Sequence, residues 1–386
     1  MAIYIFFWFA SLSFGLFIER RLTTNIFLFA VFLFVGLRLE TGFDWPVYKE
    51  IYATFQQDFS LLNVAVYVLK YGQEPGFLFL LGLSSQYLPN FEVFQALVTI
   101  ALLWSTVFLA QAVGVRKTAL VVAIAMTYLM LPVGFSTLRQ SMAISFVNFG
   151  LAHFLRRKNA RGALFFVLAA LFQLSSLVYI AAFGAARFLG RTKQPPPLRT
   201  FLIATAGAAV LAPIAIQAIS LVSRFAALKL EFYLQFSGTL QLGPLDFIFF
   251  VFFGACAVLS SRAMVILGAE SPYSNELRQL IMVLSAFGAS SNFLTVLRDR
   301  VSNELFLLVS ILLIMPGVRF RWFFVGFFIS FGLFNSVIDF FPYPRYLAFA
   351  PYQNVVVSYL LGQESTGHDR SGNFMEILDE MNADLR

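Results

Sequence analysis

The sequence predicts an all-α polytopic membrane protein, and its composition and the spacing of its apolar runs support that prediction. Of its 386 residues, 59% are hydrophobic, 17% are aromatic and only 12% are charged, with a mean hydropathy of +0.79. A soluble domain carries about 25% charged residues. The apolar residues form long runs that end at short basic or proline-containing segments, as expected for helices that cross a bilayer repeatedly.

We expect about 12–14 transmembrane helices, some of them short or re-entrant, in a single domain that covers residues 1–362. The predicted apolar segments are, in order, 2–18, 24–37, 91–113, 118–138, 142–155, a pair within 162–189, 201–221, 243–260, 277–297, 305–316, 322–337 and the short run 355–361. The run 77–84 is too short to cross and is predicted to be re-entrant or buried. Residues 38–73 are mostly polar, and residues 363–386 form a predicted cytoplasmic tail.

The pair of helices within 162–189 is predicted from length and polarity. The segment is too long for one crossing, and its middle carries Gln173, Ser175 and Ser176. Two tilted or short helices therefore fit the segment better than one.

The basic residues predict the orientation of the chain, because cytoplasmic loops hold an excess of Lys and Arg. With the N-terminus outside, the inner loops hold 16 of the 27 basic residues. The opposite orientation would invert this bias. The net charge of +7 is then explained by loops that face anionic lipid, and we expect no nucleic-acid partner.

Five arginines break this bias, because they lie at the predicted outer ends of spans. They are Arg38, Arg139, Arg298, Arg300 and Arg345, and they share that face with the acidic residues Glu40, Asp44, Glu50, Glu74 and Asp339. Any one of these arginines could extend its side chain to the interface without a function. Together they favour an extracytoplasmic pocket for an anionic ligand, since guanidinium groups bind phosphate oxygens through a planar fork of donors.

Three segments of the first half resemble the EpsG family of Wzy-like exopolysaccharide and capsule polymerases, which are similar to GT-C glycosyltransferases. They are Gly36-Leu-Arg38-x-Glu40-x-Gly42-x-Asp44-x-x-x-Tyr48, then Glu74-Pro75-Gly76-Phe77, then Ser136-x-x-Arg139-Gln140-Ser-Met-Ala143. The order and spacing match over most of the first 190 residues. The chain departs from the family pattern at Gln173-Leu-Ser175, where a His-Ser pair is common.

The resemblance implies a GT-C-like fold and a reaction on undecaprenyl-diphosphate-linked glycan at the outer face of the bacterial inner membrane. Repeat units would be polymerised there into exopolysaccharide, capsule or O-antigen. A flippase and a chain-length regulator of the same pathway are the implied protein partners. An O-antigen ligase that uses the same donor and a polysaccharide transporter or flippase are the alternatives. The sequence shows no evident internal repeat, which a transporter often has.

The candidate catalytic residues are Asp44, Glu74 and Glu40, with Asp44 the first choice for a general base and Glu40 expected to pair with Arg38. The candidate substrate-binding residues are Arg38, Tyr48, Arg139, Gln140, Arg298, Arg300 and Arg345. We expect no cofactor and no bound metal. Cys256 is the single cysteine, the two histidines are far apart, and no Asp-x-Asp pair is present to hold Mg²⁺.

Overall fold

In the computed structural model the described residues form helices joined by short loops, which confirms the all-α prediction. These residues are 2–17, 21–189, 198–199, 201–203, 205–207, 244–262, 274–291, 295–315, 321–340, 349, 352–362, 366 and 372. The helices are α1 (Ala2–Phe17), α2 (Arg21–Gly36), α3 (Trp45–Gln57), α4 (Leu61–Tyr71), α5 (Pro75–Tyr87), α6 (Phe91–Ala112), α7 (Thr118–Leu129), α8 (Leu138–Leu155), α9 (Asn159–Phe172), α10 (Ser176–Leu189), α11 (Pro244–Arg262), α12 (Ser274–Ser290), α13 (Thr295–Ile314), α14 (Arg321–Phe340) and α15 (Val355–Leu361). A π-helical segment, Met130–Ser136, connects α7 to α8.

Two apolar helical stretches of the described chain are long enough to cross a membrane by themselves. They are Phe91–Ala112 and Thr118–Ser136. Six shorter apolar helical segments accompany them: Ala2–Phe17, Leu22–Gly36, Asn159–Phe172, Ser176–Phe188, Asp246–Ser261 and Trp322–Val337. The chain is therefore a polytopic membrane protein. The expected number of 12–14 spans includes segments outside the described residues and stays a prediction.

Helix α7 lies at the centre of the bundle. All of its residues are buried, and it packs against α1, α13 and α14. The ring of Tyr128 on α7 stacks on Phe306 of α13 at 4.8 Å between centroids, and its hydroxyl bonds Ser302 at 2.7 Å. Aromatic and aliphatic side chains thus fill the centre, as in a close-packed core.

A second apolar cluster is formed by α3, α4 and α5 with the starts of α6 and α8. Residues 45–57 were expected to belong to a mostly polar segment without a helix, and this expectation was wrong, because α3 covers them. Helix α3 is amphipathic, so its buried residues Trp45, Tyr48, Tyr52 and Phe55 are separated by polar ones. Such spacing is typical of a helix with one buried face and one polar face. It gives no long apolar run, so the search for apolar runs did not detect α3.

The predicted division of 162–189 into two helices is confirmed. Helix α9 ends at Phe172, α10 begins at Ser176, and the residues between them form the turn. The end of α9 lies beside the start of α5, because a Cβ atom on Gly76 would be 2.8 Å from the carbonyl oxygen of Leu171.

The triplet Arg298-Asp299-Arg300 was expected to follow a helix, and this expectation was wrong. Helix α12 ends at Ser290, and a new helix, α13, already begins at Thr295. The three residues therefore belong to the first two turns of α13, where regular geometry fixes their directions.

The C-terminal segment returns to the start of the chain. Arg38 and Asn354 form an isolated antiparallel bridge, with Val355 N donating to the Leu37 carbonyl at 2.7 Å. Thr366 N donates to Gln353 Oε1 at 3.1 Å, so residue 366 lies at the same end of the bundle. Helix α15 has only seven residues, about 10 Å, which is too short to cross a bilayer. Apart from residues 366 and 372, the predicted tail lies outside the described residues.

Candidate functional site

The loop from residue 37 to residue 44 is held against the π-helical segment. Gly42 has φ 112°, and a Cβ atom there would lie 2.3 Å from the Phe135 carbonyl oxygen. Only glycine allows both this backbone conformation and this close approach. Single-turn π-helices occur often at functional sites.

Arg38 is buried beneath this loop and holds it in place. Its guanidinium donates to the Phe135 carbonyl at 3.2 Å and to the Val35 carbonyl at 2.8 Å, and no part of the residue is exposed. Gln95 in turn donates to the Arg38 carbonyl at 2.8 Å. Arg38 Nη2 is buried without a hydrogen-bond partner among the described residues, and the role of Arg38 in substrate binding stays a prediction. Its contacts fit a residue that positions the loop.

Glu40 pairs with Lys49, whose Nζ lies 2.7 Å from Glu40 Oε1. Lys49 also lies 3.3 Å from Glu92. The expected pairing of Glu40 with Arg38 was wrong, because the guanidinium of Arg38 is directed to backbone carbonyls. Glu40 is thus one of two acidic partners of a single lysine, which links the loop to α3 and α6.

Four predicted residues form a continuous hydrogen-bonded network. The hydroxyl of Tyr48 donates to Asp44 Oδ2 at 3.0 Å and accepts from Arg139 Nε at 2.9 Å. Arg139 Nη1 lies 2.5 Å from Glu74 Oε2. The four residues come from the N-cap of α3, from α3 itself, from the N-cap of α5 and from the first turn of α8. We call Asp44, Tyr48, Arg139 and Glu74 the site network.

Exposure differs strongly within the site network. The Glu74 side chain is 3% exposed and that of Arg139 is 19% exposed, while Asp44 is partly exposed. Burial raises the pKa of the Tyr48 phenol above its ordinary value. Tyr48 therefore stays protonated and can donate to Asp44 while Arg139 donates to it. The site network therefore contains one partly exposed carboxylate, that of Asp44, and the Arg139 guanidinium, which is fixed by hydrogen bonds to Tyr48 and Glu74.

Gln140 and Arg300 join the site network to α13. Arg300 Nη1 donates to Gln140 Oε1, and Tyr179 of α10 donates to the Arg300 carbonyl oxygen. Since Gln140 follows Arg139 directly, the structure brings Arg300 close to the network. This link between residues 160 positions apart had no signal in the sequence.

Arg298 lies apart from these groups. Its Nη1 is 2.6 Å from Asp246 Oδ1 on α11, its Nε is 2.9 Å from Asp299, and its guanidinium lies 4.1 Å from the ring centroid of Phe249. Asp246 was not predicted as a partner, although its position early in an apolar helix was a usable signal. Arg345 lies outside the described residues.

A family model described as the EpsG family matches residues 21–354. The chain belongs to the EpsG family. No curated protein and no solved structure matches it significantly. The expected likeness to GT-C glycosyltransferases therefore stays a prediction.

Membership of the EpsG family implies a role in exopolysaccharide biosynthesis like that of a polysaccharide polymerase. The match includes all three segments that carried the resemblance, and these segments supply every member of the site network. The matched region of this EpsG-family protein thus includes the whole site network.

The described residues of this EpsG-family protein contain no group of three or more His, Cys, Asp or Glu side chains arranged to hold a metal ion. Its candidate site is built from arginine, tyrosine and single carboxylates. Such groups can bind an anion through charge-assisted hydrogen bonds and can accept a proton from a hydroxyl.

Proposed function

We propose that this EpsG-family protein polymerises undecaprenyl-diphosphate-linked oligosaccharide repeat units at the outer face of the bacterial inner membrane. The site network carries the proposal. In it one tyrosine hydroxyl is hydrogen-bonded both to a partly exposed carboxylate and to a guanidinium. The transfer needs a proton acceptor for the attacking hydroxyl and positive charge for the departing diphosphate.

In the proposed reaction a hydroxyl oxygen of one lipid-linked unit forms a bond to the anomeric carbon of the other glycan. The bond between that carbon and the diphosphate oxygen breaks, and undecaprenyl diphosphate leaves with the electron pair. The proton of the attacking hydroxyl passes to Asp44. Arg139 and Arg300 stabilise the negative charge that develops on the leaving group.

Asp44 suits the role of base better than Glu74. Among the described residues, Asp44 Oδ2 is bonded to Tyr48, and Asp44 Oδ1 has no bonded partner. Glu74 is buried and paired with Arg139. A carboxylate in such a pair is a weak proton acceptor, because protonation would break the pair. Glu74 therefore fixes the direction of Arg139.

An apolar groove offers a place for the lipid part of such a substrate. It has a volume of about 420 Å³ and lies between α11 and α14, with Phe247, Val251, Phe331 and Phe334 in its lining. Phe247 directly follows Asp246, the partner of Arg298. An isoprenoid chain in this groove would be surrounded by hydrocarbon, as the hydrophobic effect favours.

The orientation is part of the proposal. We infer that the loop 37–44, the site network and Thr366 share the extracytoplasmic side, since Thr366 bonds the segment that pairs with this loop. The tail of residues 363–386 was expected to be cytoplasmic, and the proposal now puts its start, at Thr366, on the extracytoplasmic side.

The orientation can be tested with single cysteines in a background that lacks Cys256. Glu50 and Arg157 are both exposed, and they lie on α3 and between α8 and α9. A membrane-impermeant thiol reagent should label Glu50→Cys and spare Arg157→Cys in cells with a permeabilised outer membrane. Labelling of position 157 with protection of position 50 would invert the orientation.

The function is tested by the lipid-linked sugars of a strain that lacks the gene. Polymerisation predicts undecaprenyl-diphosphate-linked glycan that stops at one repeat unit and is extended when the gene is restored. Accumulation of full-length lipid-linked polymer would instead indicate a ligase. Single repeat units confined to the cytoplasmic leaflet would indicate a flippase.

A further inference from the structure

Glu304 is a buried carboxyl group that the proposed mechanism does not use. It lies in the middle of α13 with no exposed surface, and neither carboxyl oxygen has a hydrogen-bond partner among the described residues. Burial of a carboxyl without partners is costly, and ionisable residues at such depth in membrane proteins are usually functional. A functional role would explain why a carboxyl group occupies this buried position.

Helix geometry directs Glu304 toward the candidate site. It follows Arg300 by four residues, which places both side chains on one face of α13. From that face the Arg300 side chain reaches Gln140 of α8. Ser302 points away from this face and bonds Tyr128 of α7 at 2.7 Å. Glu304 thus lies one helical turn beyond the last identified member of the candidate site.

Other buried polar atoms without partners lie on the helices that meet at this point. They include Nε2 of Gln140 and the hydroxyls of Ser175 and Ser176. The two serines precede Tyr179 by about one turn of α10, and Tyr179 donates to the Arg300 carbonyl. Arg300 thus bonds residues of α8 and α10, and within about one helical turn of these bonds lie the unpartnered polar atoms of Gln140, of Glu304 and of the two serines at the start of α10.

The chemistry of these groups indicates the ligand. Carboxyl oxygens accept, the amide nitrogen donates, and serine hydroxyls do both. A sugar carries several hydroxyls, each of which is a donor and an acceptor, so it can satisfy such a mixed set. A phosphate offers mainly acceptors, and an ionised carboxylate would repel it.

We propose that Glu304, Gln140, Ser175 and Ser176 form a subsite that binds one sugar unit of the lipid-linked glycan. This inference rests on the proposed function for its choice of glycan. The carboxyl of Glu304 accepts hydrogen bonds from sugar hydroxyls, and the bound sugar lies beside Arg300. The subsite would hold one glycan so that its reacting end reaches the site network.

The test compares Glu304→Leu and Glu304→Gln with the wild type and with Ser310→Ala. Ser310 is a matched control, since it is buried in the same helix and its one hydrogen bond among the described residues goes to the carbonyl of Phe306 in that helix. The probe is the lipid-linked oligosaccharide extracted from the deletion strain. Native mass spectrometry measures its binding to detergent-solubilised protein, and thermal unfolding measures stability.

Glu304→Leu should keep or raise the Tm, because it removes a buried polar group without described partners. Its affinity for the lipid-linked oligosaccharide should fall about ten- to hundredfold, the expected effect of losing hydrogen bonds to a carboxylate. Glu304→Gln keeps one acceptor oxygen and should lose less. Ser310→Ala should bind like the wild type.

Wild-type affinity in Glu304→Leu would overturn the proposal. A parallel fall of Tm and affinity in Glu304→Leu, with normal values in Glu304→Gln, would indicate a structural role and would also overturn it. Because the proposed activity would consume the probe, all binding measurements are made in an Asp44→Asn background. Binding that depends on Glu304 in this background, together with a wild-type protein that never polymerises the oligosaccharide, would refute the proposed function and leave the subsite intact.

Discussion

Replacement of Arg139 by lysine keeps the charge but removes the geometry on which the site network depends. Arg139 reaches Glu74 through Nη1 at 2.5 Å and Tyr48 through Nε at 2.9 Å. A single ammonium nitrogen cannot occupy both positions. Arg139→Lys therefore loses at least one hydrogen bond with a charged partner, about 1.5–3 kcal/mol. Polymer formation should fall about ten- to hundredfold.

A second substitution separates catalysis from folding. Arg139→Met removes one partner of Glu74, whose side chain is 3% exposed, and truncating one member of a buried ion pair costs about 3–5 kcal/mol of stability. Adding Glu74→Gln should restore much of the Tm, because the amide is neutral. It should not restore polymer formation, because the guanidinium is still absent.

The assay measures polymer yield and length in a deletion strain that expresses each variant, at protein levels matched by immunoblot. Thermal unfolding of the purified variants gives the stability. Wild-type polymer from Arg139→Lys would refute the argument, since it would mean that charge alone suffices. Full activity of the Met/Gln double variant would remove Arg139 from the mechanism.

Two further predictions concern the hydroxyl in the site network and the loop beside it. Tyr48→Phe should lower polymer formation about tenfold, because it removes one net hydrogen bond to charged groups. Tyr52→Phe on the same helix is the control and should change polymer formation little, because among the described residues its hydroxyl bonds only backbone carbonyls. Equal effects of the two substitutions would contradict the special role of Tyr48. Gly42→Ala should lower both Tm and activity, because its Cβ would meet the Phe135 carbonyl at 2.3 Å. Gly114 also has a positive φ, but no atom lies within 4 Å of a Cβ added there, so Gly114→Ala should lower the Tm only through backbone strain. A larger loss of Tm in Gly114→Ala than in Gly42→Ala would count against the packing argument.

The sequence predicted the main apolar helices well, because long hydrocarbon runs have few alternatives in a bilayer. It did not predict α3, whose buried aromatics alternate with polar residues. The break between α9 and α10 was predictable, since polar residues interrupt an overlong apolar run.

The candidate site was predictable as a set of residues but not as a set of pairs. Glu74 and Arg139 are 65 positions apart, and no local pattern shows that they meet. Charge alone did not reveal that Arg38 is buried under its own loop and directed at backbone carbonyls. The pairing of this loop with Asn354 depends on the whole bundle. Side-chain direction at a helix end is set by tertiary packing, which a single sequence does not display.

The central claim is that Asp44 is the base of a polymerisation that needs no metal. Its most direct test uses purified protein and the lipid-linked repeat unit in the presence of EDTA, with Asp58→Asn at the other end of α3 as the control. The wild type and Asp58→Asn should form polymer, while Asp44→Asn should bind the substrate but lose about 10²- to 10⁴-fold in rate. Polymer formation that stops in EDTA and returns with Mg²⁺, or that proceeds normally in Asp44→Asn, would contradict the claim.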